Sequence, residues 1–118
     1  MSGIAHITTE NLGKGSPIPL TVFANEQDVY LDIALEMIDQ IQADRKVGKP
    51  SVLICPVGPV GQYALFTRMV NRYRIPCDNV YIFNMDEYLT EKKQWVPMDH
   101  PMSFRGLMQR ALYDKLDP

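Results

Sequence analysis

The chain has 118 residues, 46% of them apolar and 22% charged, with a formal net charge of −2. That length allows one domain with a genuine core, and so small a net charge gives no electrostatic reason to expect nucleic acid or an anionic membrane as a partner. No apolar run approaches the length of a bilayer span, and the first residues lack a basic segment followed by an apolar one, so the expected location is the cytoplasm.

Residues 1–18 read as a flexible leader, polar and punctuated by Gly13, Gly15 and Pro17, with Pro19 just beyond. Leu20-Thr21-Val22-Phe23 reads as a short first strand, followed by Asn25 as a helix cap. From Glu26 to about Lys46 the apolar residues Val29, Tyr30, Ile33, Ala34, Met37, Ile38 and Ile41 recur at helical spacing, opposite Asp32, Glu36, Asp39 and Gln40. Glu26 and Asp28 lead, Arg45 and Lys46 trail, and Gly48 and Pro50 stop the helix. Ser51-Val52-Leu53-Ile54-Cys55 is a second strand. It runs through Pro56-Val57-Gly58-Pro59-Val60-Gly61 into a helix over about 62–74, whose shared face is Phe66, Met69, Val70 and Tyr73.

Val80-Tyr81-Ile82-Phe83 is the third strand. Its lack of alternation predicts burial on both faces, as in a parallel sheet. A polar connection over 89–98 carries Trp95, read as a packing or lid contact. A last helix is expected to begin near His100-Pro101, with Phe104, Leu107, Met108, Ala111 and Leu112 on its apolar face. Met69, Met85, Met98, Met102 and Met108 are expected as core filler. Cys55 and Cys77 are expected as free thiols, one buried and one partly so, and neither has metal-ligand spacing with His6 or His100. The order β-α-β-α-β-α predicts the α/β class, with a three-layer, Rossmann-like parallel sheet. Three strands are few for such a sheet, so residues 1–118 are expected to be a portion of a larger domain, with an uncovered edge and face that favour homo-oligomers.

The third strand runs out into Asn84-Met85-Asp86-Glu87-Tyr88, and open parallel sheets bind ligands beyond the carboxyl ends of their strands. Adjacent carboxylates there point in different directions, so one can face a crevice as a proton acceptor while the other turns away. The pair would equally serve as a polar turn closing the strand. The 56–61 loop stands where strand, glycine and helix start together favour an anion, and it would also serve as a rigid turn. His100 and Ser103 fit the start of the last helix, Ser103 as a cap.

Phe83-Asn84-Met85-Asp86-Glu87-Tyr88, followed by His100-Pro101-Met102-Ser103-Phe104, resembles the glucosamine-6-phosphate deaminase/isomerase family. There a strand ends in F-N-M-D-E-Y, and a loop leads to H-P-x-S-aromatic. The resemblance implies conversion of glucosamine 6-phosphate to fructose 6-phosphate and ammonia, with no metal and no organic cofactor. Asp86 would be the enolising base that moves a proton between C1 and C2 of the open-chain sugar, with Glu87 beside it. Tyr88, His100 and Ser103 would form the site wall. Val57, Gly58, Pro59 and Val60 would stand where the family holds the sugar phosphate. Here two valines replace threonines and Pro59 removes an N–H donor. The family's later stretch, with the histidine and acids that open the sugar ring, has no counterpart in this sequence, so the resemblance implies that residues 1–118 are the N-terminal portion and that the chain alone is inactive. Other readings on the same fold are the effector-sensing domain of a sugar-responsive regulator, a sugar-lactone hydrolase, and a catalytically lapsed sugar-phosphate-binding or regulatory module.

Overall fold

The computed structural model describes residues 6–118. Its elements in chain order are helix α1 (Glu26–Lys46), strand β1 (Ser51–Cys55), helix α2 (Gly61–Tyr73), strand β2 (Val80–Asn84), helix α3 (Phe104–Ala111) and a 3₁₀ turn (Tyr113–Lys115). The expected leader lies outside the described residues as far as residue 5. From His6 it continues as tight turns in which Gly13 and Gly15 adopt φ of 79° and 78°.

α1 has the predicted bounds because both ends are set locally. The Asn25 side chain accepts a hydrogen bond from Asp28 N–H at 3.0 Å, satisfying one orphan donor of the first turn. At the other end Gly48 takes φ 69°, a left-handed conformation that costs glycine little. Ala34, Met37, Ile38 and Ile41 are buried along one stripe. α2 stops at Arg74, which caps it at φ 52°.

β1 and β2 pair in parallel, Ser51 with Val80 through Cys55 with Asn84. Among the described residues this is the whole sheet, with two strands. Residues 20–23 form no strand, in contrast to the expectation. Their β-branched composition is compatible with a strand, but a strand exists only where a neighbour completes its hydrogen bonds.

The helices lie together on one face of the sheet. Ala34, Ile38 and Ile41 of α1, Tyr63, Phe66 and Val70 of α2, and Met108 and Leu112 from the last segment form a single core, against which Leu53, Val80 and Ile82 pack. Each of the buried Ile, Phe, Val, Met and Leu side chains stabilises by about 1.5–3 kcal/mol relative to exposure. The other face is bare: Val52, Ile54, Tyr81 and Phe83 are 59%, 67%, 57% and 58% exposed. β2 is therefore not buried on both faces. Its side chains alternate, and only the Val80 and Ile82 side meets the helices.

Three smaller expectations are corrected. α2 buries Tyr63, Phe66, Thr67 and Val70, an i, i+3, i+4, i+7 stripe, and leaves Tyr73 exposed. Of the methionines expected as filler, Met108 is in the core, whereas Met85, Met98 and Met102 are exposed. α3 begins at Phe104 and not near Pro101. His100 and Ser103 close consecutive turns onto the Pro97 and His100 carbonyls, at 3.0 and 2.9 Å. Only after them does Ser103, extended and with its Oγ accepting from Gly106 N–H at 3.1 Å, open the helix. Cys55 is a buried free thiol and Cys77 a half-buried one. Burial pushes both above the ordinary thiol range.

Candidate functional site

Parallel pairing brings the carboxyl ends of β1 and β2 to one edge, where Met85 N–H donates to the Cys55 carbonyl at 3.0 Å. Beyond the end of β2 lies an open cavity of about 540 Å³, lined by Asn84, Asp86, Glu87, Trp95, Met98, Arg105 and Gln109 with parts of β2, α3 and Tyr113. Another cavity, of about 400 Å³, lies at the amino end of β2 and includes Ile75, Pro76, Cys77 and Asp78. That is the end that open parallel sheets do not use for ligands.

Asp86 and Glu87 have different surroundings. Asp86 lines the cavity and is exposed. Glu87 turns back onto the start of α3, and its side chain is only 10% exposed. Its Oε1 accepts from the N–H groups of Tyr88 (2.8 Å) and Phe104 (2.9 Å). Its Oε2 accepts from Arg105 N–H (2.9 Å) and the Ser103 hydroxyl (3.2 Å). Burial pushes this carboxyl upward, but the three backbone donors and Ser103 outweigh it, so it titrates below the ordinary glutamate range. A carboxylate so saturated holds its charge and is poorly suited to taking up a proton. Glu87 is a helix-capping anion, placed where the N–H groups and dipole of α3 favour one.

Ser103 is buried between Glu87 and Gly106 and serves the same cap. Tyr88 is exposed at its ring, which meets Phe104 edge-on at 5.1 Å. The His100 ring accepts from Met102 N–H through Nδ1 at 3.1 Å, closing a turn. None of these three lines the cavity that holds Asp86.

The 57–60 loop stands at the same carboxyl edge but does not line that cavity either. The Val57 side chain is buried in the core, and the Pro59 carbonyl accepts from Gln62 Nε2 at 2.7 Å. Gly58 is exposed, and Val60 precedes α2 without a side-chain cap. Tyr63 reaches back to donate its hydroxyl to the Pro56 carbonyl, which stiffens the turn from within.

Arg105, Met98 and Gln109 carry no motif signal of their own, yet they line the cavity. Arg105 directly follows the H-P-x-S-aromatic run, and that adjacency is the only hint in the sequence. Trp95 takes part through Arg105, whose guanidinium lies 5.0 Å from the indole centroid. Leu89 and Trp95 form an antiparallel bridge that folds this connection into a hairpin-like loop beside the cavity. Among the described residues no group of three or more His, Cys, Asp or Glu could hold a metal ion. No helix there is long and apolar enough to cross a membrane.

A parallel α/β sheet with helices on one face and a cavity beyond its strand ends that carries a few polar groups defines the class: an α/β protein with its candidate site at the carboxyl edge. Comparison with known proteins narrows that class. Over 71 residues the chain is 35% identical to a glucosamine-6-phosphate deaminase of Phocaeicola vulgatus, covering 58% of this chain and 25% of that protein. The identity is 34% to the deaminase of Bacteroides fragilis, with 58% and 24% covered. It is 35% to that of Porphyromonas gingivalis, with 58% and 25% covered. No family model matches the chain. The resemblance to glucosamine-6-phosphate deaminases expected from the motifs therefore holds, and it holds for a part: the chain spans about a quarter of the length of the curated relatives it matches.

Proposed function

We propose that the chain is the N-terminal part of a glucosamine-6-phosphate deaminase-like protein, with Asp86 as the base of an aldose–ketose isomerisation that leads to deamination. The observation that carries this reading is Asp86 itself. It is the exposed carboxylate of the strand-end cavity, in a chain similar to enzymes of that name. The neighbouring Glu87 is already committed to α3, so the proton step falls to Asp86. In that step Asp86 takes the proton from C2 of the open-chain sugar and returns it at C1. Neither metal nor organic cofactor enters. Groups that open the ring would come from outside these 118 residues, and the chain by itself is expected to release no ammonia. The complete protein would carry further strands and helices that extend the two-stranded sheet to a three-layer, Rossmann-like arrangement. It would work in the cytoplasm, on a small sugar phosphate, as a homo-oligomer.

A second reading, a catalytically lapsed sugar-phosphate-binding or regulatory module, is favoured by one observation. The 56–61 loop offers buried Val57 and donorless Pro59 where hydroxyls and N–H groups would hold a phosphate.

Calorimetric titration of glucosamine 6-phosphate into the protein, wild type and Asp86→Asn, separates the two. Binding by both is expected, because the substitution keeps shape. In the longer protein ammonia release should fall by about 10²–10⁴-fold in Asp86→Asn. Binding without turnover in either form would favour the lapsed module. Turnover unaffected by the substitution would remove Asp86 as the base.

A further inference from the structure

Arg105 is the second residue of α3 and is held on three sides. Its Nη2 donates to the Val96 carbonyl at 2.7 Å. Its guanidinium lies over the Trp95 ring, 5.0 Å from the centroid. Its Nε is buried 3.4 Å from Glu87 Oε2 without making a hydrogen bond, because that carboxylate is already engaged by four closer donors. A guanidinium carries five N–H donors in a rigid fork. Among the described residues one of them is used in a hydrogen bond, at Nη2, and the buried Nε makes none. The side chain nevertheless lines the cavity that contains Asp86. A planar cation immobilised by a carbonyl, a ring and a spent carboxylate, with donors left over at a cavity wall, is preorganised for an oxyanion.

We propose that Arg105 is a specificity-determining residue that binds the phosphoryl group of the ligand in the strand-end cavity, with Trp95 holding its guanidinium in plane. This rests on the sugar-phosphate reading of the same cavity and answers the difficulty that reading meets. The 56–61 loop lacks the donors to hold a phosphate, and Arg105 supplies a cation and several donors from a different element. Asp86 and Arg105 line one cavity, so a single ligand can meet the base with its carbonyl end and the guanidinium with its phosphoryl end.

The test exploits Trp95, the single tryptophan of the chain, whose emission reports on this site alone. Glucosamine 6-phosphate and unphosphorylated glucosamine are titrated into wild type, Arg105→Lys and Arg105→Gln, with dissociation constants from calorimetry and Trp95 emission as a second readout. Wild type should prefer the phosphorylated sugar. Arg105→Gln should lose that preference, with affinity for glucosamine 6-phosphate down about 10- to 100-fold and affinity for glucosamine unchanged. Arg105→Lys, which keeps the charge and loses the fork, should fall between. A merely structural role would weaken both sugars together, and that result overturns the proposal. Equal binding of glucosamine 6-phosphate by wild type and Arg105→Gln also overturns it, while leaving the sugar-phosphate reading intact. Absence of binding by wild type removes both.

Discussion

Glu87 is the residue whose removal the structure describes most fully. Its carboxylate accepts from Tyr88, Phe104 and Arg105 N–H groups at 2.8–2.9 Å and from the Ser103 hydroxyl at 3.2 Å. Two of those donors are orphan N–H groups of the first turn of α3, with no partner inside the helix. Hydrogen bonds to a charged group contribute about 1.5–3 kcal/mol each, and a buried donor left unpaired costs about 1–3 kcal/mol. Water replaces part of what is lost at this edge, so Glu87→Ala should destabilise by about 3–5 kcal/mol, a large share of an ordinary domain's 5–15 kcal/mol. Glu87→Gln keeps the shape and one acceptor and should cost about half as much. The pH dependence has a definite sign. The folded carboxyl titrates below its ordinary value of 4.5, so its stabilisation is fully present above that value and is lost as pH falls through the lower, folded one. Urea unfolding followed by circular dichroism, for wild type and Glu87→Gln at pH 7 and at steps down to about pH 2, measures both effects. The gap between the two proteins should be widest at pH 7 and shrink below about pH 4. A Glu87→Gln variant as stable as wild type at pH 7, or a gap that widens in acid, would refute the capping role.

Gly106 should tolerate no side chain. A Cβ there would lie 1.9 Å from the Met98 carbonyl oxygen, a backbone atom that cannot swing aside. Gly106→Ala should therefore cost about 3 kcal/mol or more, through detachment of the loop that carries Trp95 from α3. Thermal melts of the variant would show this, and an unchanged midpoint would contradict it. In the 118-residue chain the exposed sheet face should drive self-association, because Val52, Ile54, Tyr81 and Phe83 form an apolar surface that the described residues leave uncovered. Sedimentation velocity should show concentration-dependent association of wild type and its loss in Tyr81→Thr/Phe83→Thr. An oligomer that survives the double substitution would place the interface elsewhere.

Elements closed by near neighbours were legible from the sequence. α1 could be bounded closely because Asn25, its cap, and Gly48, its left-handed exit, act within one turn of its ends. Both sheet strands were legible from their β-branched and aromatic runs. The Asp86–Glu87 pair was legible from its place at a strand end, and the resemblance to deaminases from two short motifs. The strand expected at 20–23 fails for the reason those elements succeed: a strand is completed by a partner distant in the chain, and composition does not report whether one is there. The same limit explains the faces. Tyr81 and Phe83 look like buried strand residues, but the helices all lie on the opposite side of the sheet.

The difference between Asp86 and Glu87 is likewise a tertiary fact. Adjacent residues of one chemical type become a free cavity carboxylate and a saturated helix cap because α3, 16 to 18 residues further on, brings its N–H groups to one of them. Arg105 reaches the cavity in the same way, held by Trp95 and Val96 from a loop folded back beside it. Helical period and end-capping depend on bonds a few residues long, so the order of residues determines them directly. The surroundings of a charge depend on which remote segments packing brings within 3 Å, and only the folded chain decides that.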